Sequence, residues 1–112
     1  MKKIKIIAAT FEKIQSEICT ILEAADGKGK FSENMWNKKI GQGMTCVLEK
    51  GSIIEKGAVN FSFVKGKYTP EMEKLLGEKA ENYAATGISS IIHPINPLVP
   101  IIHMNVRYFQ LA

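Results

Sequence analysis

Near the end of the chain a histidine, an asparagine and an arginine stand at every second position, as His103, Asn105 and Arg107. In an extended segment alternate side chains share a face. These three therefore point one way, and Ile102, Met104, Val106 and Tyr108 point the other. The apolar side is expected to pack on a helix and the polar side to line a cavity. The ordinary reading of a polar strand face is contact with water, but solvated faces are usually rich in Lys, Glu and Thr. This one offers a proton carrier, an amide and a guanidinium. Arg pairs bidentately with carboxylates, Asn donates to the same group, and His exchanges a proton near neutral pH. That set suits an acidic substrate undergoing proton transfer.

The charge distribution sharpens this reading. Fourteen of the fifteen Lys and Arg residues, and all eleven Asp and Glu, fall at or before Glu81, leaving Arg107 as the single formal charge of the last thirty-one residues. The tail reads as built for burial. Its arginine needs an anion that no nearby residue supplies, so the partner is a distant carboxylate or a ligand. By the same parity Ser89, Ile91 and His93 share a face of the preceding apolar run. Two histidines ten residues apart are too few for a metal site by themselves.

Other signals are weaker. Gly27, Gly29, Gly41 and Gly43 match neither a Walker nor a dinucleotide fingerprint. Lys38 and Lys39 beside Trp36, the single tryptophan, form too small a basic and aromatic patch for nucleic acid and read as surface. Cys19 and Cys46 lack metal or redox spacing and read as buried free thiols of a reducing compartment. Cys46 has no base close in sequence and an apolar neighbourhood, as a core thiol has.

Elements must position these residues. Ile7, Phe11, Ile14, Ile18, Ile21, Leu22 and Ala25 recur at helical spacing and predict a helix over 5–25. The segment from Asp26 to Gly29 supplies a stop and a link. The stretch from Phe31 to Gly43 reads as a loop or short helix. Met44 to Lys50, Ser52 to Lys56 and Ala58 to Lys65 read as three strands, the first two disposed about Gly51. Thr69-Pro70-Glu71 is a helix start, with a capping hydroxyl, proline at the first position and acid in the first turn. The helix is expected to reach Glu81 and to bury Met72, Leu75, Leu76 and Ala80. Strands over 85–93 and 101–111 follow, joined by a connection stiffened by Pro94, Pro97 and Pro100.

With 112 residues, 46% of them hydrophobic and 23% charged, the chain has the material of one modest globular domain. Glu12 and Lys13 interrupt the apolar start, so neither a signal peptide nor a membrane span is expected. The net charge of +4 favours an acidic partner.

These residues resemble the oxygen-dependent coproporphyrinogen III oxidases. The likeness runs through Val47-Leu48 and Glu55-Lys56-Gly57-Ala58-Val59-Asn60-Phe61-Ser62, and above all along the unbroken stretch from Gly87 to Phe109. That stretch includes Ser89-Ser90, His93-Pro94, Asn96-Pro97, Pro100 and His103-Met104-Asn105-Val106-Arg107-Tyr108-Phe109. It covers roughly 31–109, with the first helix similar only in character.

The resemblance implies an α+β fold, a flat, mostly antiparallel sheet flanked by helices, with residues 1–112 forming the N-terminal part of that domain. It implies oxidative decarboxylation of coproporphyrinogen III by molecular oxygen, with no organic cofactor and a divalent metal left open. His103 would be the proton donor, Ser89, Asn105, Val106 and Arg107 would bind substrate, and His93 stands where a metal ligand is proposed in some members. A cytoplasmic homodimer without nucleic-acid partners is the family's usual setting. The chain departs from the pattern at Gln42 and Thr45, where glycine and serine are expected, and in being far shorter than family members. The rival expectation is therefore a catalytically incomplete fragment that binds a tetrapyrrole or polycarboxylate, or that needs a complementing chain.

Overall fold

The computed structural model describes residues 2–112. A long helix α1 (Lys2–Asp26) is followed by strands β1 (Ser32–Lys38), β2 (Gly41–Glu49) and β3 (Ile54–Lys67), a short helix α2 (Pro70–Leu76), and strands β4 (Asn82–Pro94) and β5 (Ile102–Leu111). The five strands form one antiparallel sheet in sequential order, β1-β2-β3-β4-β5. The expected α+β architecture is what the chain adopts. No helix among the described residues is long and apolar enough to cross a membrane.

α1 lies across one face of the sheet because its apolar stripe has a single surface to cover. Phe11, Ile14, Ile18, Cys19 and Leu22 pack on Cys46, Val59 and Ile88, one from each of β2, β3 and β4. Leu48, Ile54 and Ile92 extend this core towards the end of α1, again under Leu22. In the middle of the stripe Gln15 is buried, and its Nε2 donates to Met44 O at 2.9 Å and Val59 O at 3.0 Å. Replacing Gln15 by Leu keeps the bulk but leaves two carbonyls of adjoining strands without this donor. The expected loss is about 1 to 3 kcal/mol in urea unfolding; an unchanged midpoint would show that the bridge adds nothing.

Several sequence expectations need correcting. The stretch 31–43 is neither loop nor helix: Ser32–Lys38 is an edge strand paired residue for residue with Gly41–Val47. Ser52 to Lys56 and Ala58 to Lys65 are not two strands, since β3 runs unbroken from Ile54. The chain reverses before it through Lys50, which takes a left-handed conformation at φ 55°. The second helix starts where its signals say, with Thr69 Oγ1 accepting from Met72 N at 3.2 Å. It then stops at Leu76, because Gly77 enters the left-handed region at φ 73° and its N–H closes on Glu73 O. α2 buries none of its residues, and Leu75 is 86% exposed. An apolar stripe over two turns has nothing here to pack against.

Burial of the charge-poor tail is likewise only half realised. β4 is an interior strand and buries Ala84, Ala85, Ile88 and Ile92, whereas β5 is the sheet edge and Ile102 is 61% exposed. Ile102, Met104, Val106 and Tyr108 do fall on the α1 side. Of these only Met104 reaches the central core, because one helix cannot span five strands.

Candidate active site

The polar residues singled out from the sequence come together on the sheet face turned away from α1. β4 and β5 pair with Ser89 opposite Asn105, Ile91 opposite His103 and Gly87 opposite Arg107. His93, two residues beyond Ile91 on β4, is a diagonal neighbour of His103 on that face. The stiff connection makes this register possible. Asn96 Oδ1 accepts from Leu98 N at 2.9 Å and Asn96 O from Val99 N at 3.0 Å, folding the prolyl segment into a tight turn. Val106 stands apart from this group: it pairs with Ile88 and faces α1.

The face is open. His103, Asn105 and Arg107 are exposed and Ser89 is half-buried, so these residues form a surface rather than an enclosed cavity. Arg107 makes no salt bridge among the described residues, which leaves its guanidinium available to an anion. Gly87 gives it room. A Cβ there would lie 2.7 Å from Val106 O and 3.4 Å from Arg107 Cγ, so the bare backbone is what lets the arginine stem lie close over β4.

The same face holds residues that sequence reasoning did not assign to the site. In register across the sheet run Asn34, Thr45, Asn60, Ser89 and Asn105, one from each strand. The next row is Trp36, Gly43, Ser62, Gly87 and Arg107. Only the strand alternation of β1, β2 and β3 would have shown these rows, and β1 was not legible as a strand. His93 and His103 find no third partner, since no group of three or more His, Cys, Asp or Glu suited to a metal occurs among the described residues.

Away from this face the two thiols are free. They meet between α1 and β2, where Cys46 is buried and Cys19 packs against it. Burial, then the neighbouring Cys46 thiol and the Glu23 and Glu33 carboxylates, push Cys19 up to about 12. Burial also raises Cys46. Thiols held protonated in this way are poor nucleophiles, which agrees with a packing role.

The coproporphyrinogen III oxidase family model matches residues 6–112. The chain belongs to the coproporphyrinogen III oxidase family. It is 45% identical over 101 residues to the oxygen-dependent coproporphyrinogen-III oxidase of Wigglesworthia glossinidia brevipalpis, covering 88% of this chain and 33% of that protein. To the enzyme of the same name from Prochlorococcus marinus strain AS9601 it is 44% identical over 100 residues, covering 87% and 29%. The Synechococcus strain CC9902 enzyme is 41% identical over 100 residues, covering 87% and 28%. The chain thus spans about a third of the length of the curated relatives it matches. As a member of the coproporphyrinogen III oxidase family it presents on one strand pair a guanidinium, an amide, a hydroxyl and an imidazole, aimed the same way and unblocked.

Proposed function

We propose that this chain supplies a substrate-holding face for the oxygen-dependent decarboxylation of coproporphyrinogen III to protoporphyrinogen IX in haem biosynthesis. The observation that carries the reading is the convergence of Ser89, His103, Asn105 and Arg107 on one open sheet face in adjoining register, in a chain of this family. Arg107 and Asn105 hold a propionate, Ser89 adds a hydrogen bond, and the backbone of Val106 carries the two polar neighbours at strand spacing.

The reaction's balance gives His103 its task. Each propionate loses carbon dioxide and a hydride equivalent from the carbon next to the ring, leaving a vinyl group. Two such losses deliver four electrons and two protons to one molecule of oxygen. Reducing oxygen to two waters takes four protons, so two must come from elsewhere. An imidazole exposed beside the carboxylate-binding pair is suited to pass them on. Molecular oxygen is the co-substrate in this reading, and no organic cofactor is called for. A cytoplasmic homodimer belongs to the same reading, and the two free thiols fit a reducing compartment.

A second reading is favoured by the chain spanning about a third of its relatives: it binds the tetrapyrrole without turning it over, or needs a complementing chain. Titration with coproporphyrinogen III under nitrogen, followed by admission of oxygen, separates the two. Binding with oxygen uptake and vinyl products supports the oxidase reading, whereas binding without turnover supports the second. Absence of binding overturns both.

A further inference from the structure

The row holding Arg107 ends in Trp36, and between them lie only Gly43, Ser62 and Gly87. Two long side chains thus flank a floor of three small ones. A Cβ on Gly43 would stand 2.5 Å from Trp36 Cζ2, so the indole lies directly over bare backbone. Adjacent strands are about 4.8 Å apart, which sets the backbones of Trp36 and Arg107 roughly 19 Å from each other across the sheet. Alongside runs the row of Asn34, Thr45, Asn60, Ser89 and Asn105. In its centre Asn60 Oδ1 is buried and accepts no hydrogen bond. A buried acceptor left unmatched is costly and calls for a donor. Asn60 is only half-buried and lies opposite Ser89 on the open face, so a half-turn about χ2, a broad and soft torsion in Asn, would exchange its oxygen and NH2 and present Oδ1 to a ligand there.

Positive charge lies near both ends of this trough. Lys38 and Lys56 share the face with Arg107, and Lys38 Nζ stands 5.8 Å from the Trp36 ring centre. The acids lie at the far end of the face, where Glu49 is opposite Lys56 and Glu55 sits in the bulge beside it. A ligand fitting this surface is broad, has an apolar ring body with N–H donors, and carries carboxylates at its rim.

Resting on the reading given under Proposed function, we propose that Trp36 and Asn60 are further substrate-holding residues. Trp36 packs against a pyrrole ring at the end of the trough away from Arg107, and Asn60 Oδ1 takes a pyrrole N–H. The trough runs over all five strands, so the substrate lies across the sheet rather than along β5.

Trp36 is the only tryptophan, so its emission reports its own cover. Coproporphyrinogen III, kept reduced under nitrogen, is colourless and leaves that emission undisturbed. Its binding is expected to shield Trp36 from acrylamide quenching. Asn60→Ala is expected to weaken binding about tenfold, the worth of one good hydrogen bond, while Asn60→Asp, which keeps an acceptor of the same shape, binds more tightly than Asn60→Ala. An analogue methylated on the pyrrole nitrogens should bind wild type and Asn60→Ala alike. Arg107-dependent binding that leaves Trp36 freely quenched, or that ignores Asn60→Ala, overturns this proposal and spares the reading beneath it. No binding of coproporphyrinogen III by the wild-type protein overturns both.

Discussion

Asp26→Ala is expected to lower the melting temperature by on the order of 10 °C or more, the largest loss of stability we anticipate from a single side chain. Asp26 is 3% exposed and ends α1. Its Oδ1 accepts from Ile53 N at 2.9 Å and Ile54 N at 2.8 Å. Its Oδ2 accepts from Gly29 N at 2.8 Å, Ser52 N at 2.9 Å and Lys28 N at 3.3 Å. One carboxylate thus gathers the N–H groups of two turns, the exit of α1 and the reversal between β2 and β3. The backbone of Asp26 takes part as well, its carbonyl accepting from the Ser52 hydroxyl. Gly51 is part of the design, because a Cβ there would stand 2.4 Å from both carboxylate oxygens.

The pH dependence follows from the same contacts. The Ile54, Gly29 and Ile53 N–H groups hold the Asp26 carboxyl well below the usual carboxylate range, against the opposing effect of burial. With the folded value depressed, the unfolded chain binds the proton more readily. The contribution is therefore complete above the ordinary aspartate value of about 4. It is lost as the pH falls through that value towards the lowered one. Asp26→Asn, which presents an amide NH2 to a site that offers only donors, is expected to be less stable at pH 7 and to lose less on acidification. Melting curves from pH 7 to pH 3 that run parallel for Asp26→Asn and wild type would show that the carboxylate is not the acid-sensitive staple.

Asp26 also shows where sequence reasoning stops. Asp-Gly after a helical run signals a local turn, and the turn is there. Three of the five N–H groups on its carboxylate, however, come from residues 52–54, on a hairpin that no local pattern links to it. Edge strand β1 was hidden for a related reason. Asn34, Trp36, Asn37 and Lys38 have little of the β-branched, alternating character of strands, and pairing with β2 is what makes them one. Conversely, the start of α2 was legible because a cap is local chemistry, whereas its burial depended on a partner surface. The parity of β5 was legible from alternation alone and placed His103, Asn105 and Arg107 on a common face. That β5 is an edge, and that the face is open, are facts of topology.

If the chain holds coproporphyrinogen III as proposed, Arg107→Ala is expected to raise its dissociation constant thirtyfold or more, and to lower kcat/KM in proportion wherever turnover is followed. That factor corresponds to about 2 kcal/mol, within the roughly 1.5 to 3 kcal/mol of hydrogen bonding to a charged group. Arg107 has no salt bridge to lose among the described residues and is exposed, so folding is spared. The melting temperature should stay within about 2 °C of wild type, as for surface substitutions that touch no special feature. Arg107→Lys keeps the charge but not the planar fork that takes both carboxylate oxygens, so it is expected to recover only part of the affinity. Added salt should weaken wild-type binding more than that of Arg107→Ala, because the variant has one fewer charge for ions to screen. If Arg107→Ala instead binds coproporphyrinogen III within a factor of two of wild type while melting at a sharply lower temperature, the guanidinium supports the sheet edge and the carboxylate is held elsewhere.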